Sequence, residues 1–171
     1  MAEGKTVRLH NRSEKPDNIV LKEHEIVTKC EDIQKELPSF MRGFFAYLKG
    51  NVLPMTRLAY LTDIRFFCQY LVDETDLTRA TSTREITRTE FNEIMAVDVN
   101  LFIDYCRSYR VEKDNEIILY ENTNKTLARK KSSVSGTVKW QKIQRIRSST
   151  EHTLTKPIIR LLIIRNFIGF F

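Results

Sequence analysis

Pro54 opens an 18-residue run, PMTRLAYLTDIRFFCQYL, in which apolar residues return at helical spacing with no further proline and no glycine. Tyr60, Ile64, Phe67 and Leu71, flanked by Leu61 and Cys68, share one side of a 3.6-residue repeat, while Thr56, Asp63 and Gln69 lie away from it. A stripe this wide must be covered by other elements of the chain. With only 5 Gly and 4 Pro in 171 residues, turn formers are too few for many short strands, so the expected class is all-α.

The rest of the chain supplies partners for that helix. Ile26, Cys30, Ile33 and Leu37 predict a helix that Pro38 interrupts. Pro38 restarts a second one, whose apolar face is Phe40, Phe44, Phe45 and Leu48 and which ends near Gly50. The polar run from Asp73 to Arg84 reads as a loop. Thr87 and Glu90 form a capping box ahead of a short helix with Phe91, Ile94 and Met95 inward, and Asp98 is placed to cap the next, lined by Val99, Phe102, Ile103 and Cys106. In EKDNEIILYENTNK, a turn signal at Asp114-Asn115 precedes the β-branched IILY, which predicts a small hairpin or an extended excursion. Asn122 or Asn124 then caps a last helix over KTLARKKSSVS, held to the bundle by Leu127 and Val134.

Charge is unevenly spread. Of the net +6, residues 124–171 carry +10, from 11 Lys or Arg against Glu151 alone, which leaves −4 on residues 1–123. A basic third of this kind favours a polyanion partner, nucleic acid before membrane. Cys30, Cys68 and Cys106 sit far apart on apolar faces and read as buried reduced thiols of a cytoplasmic protein. No Cys pair has metal-ligand spacing and His10, His24 and His152 are scattered, so neither a metal nor a cofactor is expected. Residues 1–20 lack periodicity and read as a flexible arm without a signal-peptide core. The final PIIRLLIIRNFIGFF would span about 22 Å as a helix, short of the roughly 30 Å of a bilayer core, and Arg160 and Arg165 interrupt it, so no membrane span is expected.

Two stretches together resemble a known family. PMTRLAYLTDIRFF is similar to the P-x-T-x-x-A-Y-x-x-D-[LI]-x-x-F helix in the core-binding domain of tyrosine recombinases, the phage-integrase family, and NKTLARKKSSVS resembles the last helix of that domain. The resemblance covers roughly residues 36–135. It implies a four-helix, SAM-like bundle that forms half of a clamp around double-stranded DNA and is joined by a linker to a separate catalytic domain; for this chain the expectation is an all-α bundle of four to five helices over residues 21–135, with an irregular basic and apolar tail over 136–171 that does not follow the family. Carried over by position, it points to Thr56, Arg57 and Tyr60 on the first helix and Lys125, Thr126, Arg129 and Lys130 on the second as DNA-binding residues. Leu53 departs from the family in replacing a Ser-like cap, and Lys131 in replacing an apolar residue.

After Ser135 the family pattern ends. His152 lies in HTLT without the Arg of the family's H-x-L-R pattern, and no Tyr follows Tyr120. Phosphodiester cleavage needs clustered cations on the phosphate and an activated hydroxyl. The expectation is therefore a non-catalytic DNA-binding fragment with no small-molecule substrate, its tail the product of a frameshift or early stop in a recombinase gene. Two further readings accompany it: an interaction module that interferes with an intact recombinase, and a membrane-active effect of the last 15 residues.

Overall fold

The structure, a computed structural model, describes residues 10–113 and 116–150. Most of the expected arm and the apolar end of the chain lie outside these residues.

Helix α1 spans Asp17–Glu36, so the last residues assigned to the arm are helical. Pro16 precedes it, and Asp17 places a carboxylate in its positively polarised first turn. Leu37 is forced extended by the proline that follows (ψ 157°), and Pro38 starts a short 3-10 turn, Ser39–Met41, that leads into α2, Arg42–Asn51. Helix α3 is Pro54–Asp73, with Pro54 in its first turn and no side-chain cap from Leu53. Helix α4, Arg88–Glu93, carries the expected capping box. Helix α5, Ala96–Arg107, begins two residues before the expected Asp98 cap: Asp98 sits inside the first turn and its carboxylate accepts the Met95 N–H at 2.7 Å.

The excursion is an antiparallel hairpin of β1, Ser108–Lys113, and β2, Glu116–Glu121. Tyr109 pairs with Tyr120, their rings stacked 5.1 Å apart, and Phe66 of α3 reaches Tyr109 at 5.0 Å, which pins the hairpin to the bundle. Neither expected asparagine caps the last helix. Asn122 donates to the Cys106 carbonyl at the end of α5, 2.8 Å away, and Thr123 accepts the Thr126 N–H instead.

That last helix, α6, runs without interruption over Asn124–Thr150. The boundary expected at residue 135, with an irregular tail beyond it, is corrected here: Val138, Thr137 and Gln141 are buried and Trp140 packs on Phe44 of α2 at 5.6 Å. Within α6 the Thr137 hydroxyl donates to the Ser133 carbonyl, and the Ser133 hydroxyl shares its one proton between the Lys130 carbonyl and Asp63 of α3. Among the described residues, all six helices and the Ser39–Met41 turn contribute to one hydrophobic core around Leu61, Ile64, Phe67, Phe91 and Phe102. The fold is thus an all-helical bundle with one hairpin. Its three cysteines are free and buried, and burial pushes the Cys68 and Cys106 thiols up to about 12.

Two measurements test this architecture. A methyl at Gly136 meets nothing within 4 Å, so Gly136→Ala should raise stability by about 0.5–1 kcal/mol if residue 136 is mid-helix. A methyl at Gly43 would lie 2.7 Å from the Trp140 ring, so Gly43→Ala should lower it by about 1–3 kcal/mol in urea denaturation. Separately, Glu90 accepts the Arg79 and Thr87 N–H groups and the Thr87 hydroxyl, which lowers its carboxyl from 4.5 to about 2. A lowered folded-state pKa contributes stability that is complete above about pH 4.5 and lost as pH falls toward 2. Glu90→Gln should therefore show a shallower loss of stability than wild type over that interval, and Thr87→Ala should cost about 1 kcal/mol at neutral pH.

Candidate nucleic-acid interface

Asp63 projects from the middle of α3 and is fully buried, not turned to solvent as the repeat predicts. Its Oδ2 accepts from Arg129 Nη1 at 2.5 Å and from the Ser133 hydroxyl at 3.2 Å; its Oδ1 accepts from Lys130 Nζ at 3.2 Å. Burial pushes the carboxyl above its ordinary value, while the Lys130 and Arg129 cations act in the opposite direction. Arg129 Nη1 also donates to the Ala59 carbonyl at 3.1 Å, so one guanidinium group ties the second turn of α6 to both backbone and side chain of α3.

This joint sorts the seven residues expected at DNA. Thr56 is exposed in the first turn of α3, and Lys125 is exposed in the first turn of α6. Each lies within about one helical turn of the Arg129–Ala59 contact, which brings the two helix starts together. Arg129 is engaged at Nη1, yet 40 % of its side chain remains exposed. Thr126 is half-buried, its hydroxyl 3.1 Å from that of Thr123. Tyr60 is half-buried against the core.

Two of the seven are buried, not on the exposed face that the expectation implies. Lys130 is only 8 % exposed, because Asp63 and the Phe66 ring, 4.7 Å below Nζ, draw it inward. Arg57 is 4 % exposed, its Nε buried with no hydrogen-bond partner among the described residues. Neither presents its charge on the open surface, and the leading edge of α3 splits between Thr56 outward and Arg57 inward.

Sequence reading missed Asp63 and Ser133. The available signal was local: the helical neighbours of Asp63 at i−4, i+3 and i+4 are Ala59, Phe66 and Phe67, an apolar setting for a charge. On the outer side of α6, Lys125, Ser132 and Lys139 recur every seven residues and, with Arg129, make a cationic stripe of exposed or half-buried residues. Among the described residues no three His, Cys, Asp or Glu side chains converge as metal ligands, and no helix is long and apolar enough to cross a membrane. No protein family, curated protein or solved structure matches the chain.

Removing the carboxylate would leave Lys130 and the engaged arm of Arg129 buried without a counter-charge. Asp63→Ala should cost roughly 3–5 kcal/mol in urea denaturation at neutral pH, and a loss below about 1 kcal/mol would mean that the joint does not hold α6 in place.

Proposed function

We propose that the chain binds duplex DNA through the phosphate backbone, as a helical domain of the kind that tyrosine recombinases use to grip one side of their site. The observation that carries this reading is the Lys125, Arg129 and Lys139 stripe on the outer face of α6, anchored beside the first turns of α3 by the Arg129 contacts to Asp63 and Ala59. Cations on a rigid helix neutralise phosphates and release counterions without reading bases. Thr56 adds a hydroxyl at the start of α3.

A second reading, an interaction module that occupies sites on an intact recombinase, draws on the hairpin. Ile117 and Leu119, 71 % and 56 % exposed, share one face of β2. Co-purification with a recombinase in the absence of DNA separates this reading from direct DNA binding.

Three phosphates neutralised by the cations of the stripe give a log–log salt dependence of about −3. In fluorescence anisotropy with a short duplex, Lys125→Ala combined with Lys139→Ala should flatten that slope by about 2 while leaving the helical circular dichroism unchanged. Affinity that does not respond to salt would reject the mechanism.

A further inference from the structure

Arg57 reaches a cleft of about 480 Å³ at the junction of α1, α2 and the start of α3. The cleft is lined by five cations, Lys35, Arg42, Lys49, Arg57 and Arg84, against the single carboxylate of Glu31. Lys35 has a partner outside it, Asp32, at 2.8 Å. Among the described residues, the other four cations form no ion pair. Arg42 and Lys49, seven residues apart, lie on one face of α2 about 10 Å from each other, and Arg84 is presented by a 3-10 turn whose Thr83 hydroxyl donates to the Glu36 carbonyl at 2.6 Å. Leu37, Pro38 and Phe45 form the apolar part of the wall.

An arginine only 4 % exposed, with a buried unpartnered Nε and like charges lining the same cleft, is disfavoured unless an anion completes the site. We propose that this cleft binds a phosphate-class oxyanion, with Arg57 as its planar, bidentate donor and Arg42, Lys49 and Arg84 as the surrounding positive field. The planar fork of Arg57 matches two oxygens of a tetrahedral phosphate, and the volume accommodates a group larger than phosphate alone. The same chemistry is offered by a free phosphate ester and by a phosphate of a nucleic-acid strand. The site is separate from the α6 stripe: neither Thr56 nor any residue of α6 lines it.

The test is calorimetric titration of the full chain with pyrophosphate, at ionic strength held constant with chloride. Saturable binding is expected, weakened about tenfold or more by Arg57→Met and by the double variant Arg42→Gln, Lys49→Gln, whose substitutions are on exposed positions and leave the core untouched. Arg57→Met should also unfold at a higher temperature than wild type in the absence of phosphate, because a buried uncompensated charge has been removed. No binding above the chloride control, or equal binding by wild type and both variants, would overturn the proposal. Duplex DNA in a second arm identifies the source. If pyrophosphate competes with DNA and Arg57→Met weakens both, the occupant is a strand phosphate; if DNA binding is unchanged in Arg57→Met, it is a free phosphate ester. Loss of DNA binding in the Lys125, Lys139 double variant with pyrophosphate binding intact would separate this site from the DNA reading.

Discussion

The Asp63 carboxylate is buried between two helices whose contacting residues are 66 to 70 positions apart in the chain, and the placement of α6 depends on how its two oxygens are shared. One receives Arg129 and Ser133, the other Lys130. A one-residue slip of α6 would rotate its side chains by about 100° and break all three contacts at once. A buried charge set of this kind contributes little net stability relative to a packed hydrophobic core, but it penalises every alternative register heavily. With that register fixed, Val134 and Val138 face the core, Trp140 meets Gly43, and the cationic stripe is left on the outside.

What was legible in the sequence was what local periodicity and local chemistry control. Pro54 starts α3, Pro38 separates α1 from α2, and Thr87 and Glu90 cap α4, because each effect acts within four residues of its source. The candidate site was harder to read. Periodicity assigns charged residues to water, so Asp63, Arg57 and Lys130 were placed on the surface, and the partners that allow two of them to be buried come from a distant helix or a ring. The end of α6 is misplaced for a related reason: the boundary at Ser135 follows the loss of the family pattern, whereas Val138 and Trp140 hold the rest of the helix through tertiary contacts that no local pattern reveals.

Eight of the basic residues fall into three roles that composition merges into one number. Lys130 and one arm of Arg129 are structural, answering a buried acid. Lys125 and Lys139 project from α6, where charge can act on a long polyanion. Arg42, Lys49, Arg57 and Arg84 surround a cleft in the part of the chain whose net charge is negative, which a count over segments conceals. Alanine replacement of Arg129 and Lys130 together therefore disturbs folding before it reports on any ligand.

Trp140 is the chain's sole tryptophan, and its ring lies over Gly43 and beside Phe44 at the point where the far half of α6 meets α2. The molecule thus contains its own optical probe. Indole emission, sensitive to the loss of this apolar contact, reports whether the distal half of α6 is docked or detached, independently of the Asp63 joint that fixes its proximal half.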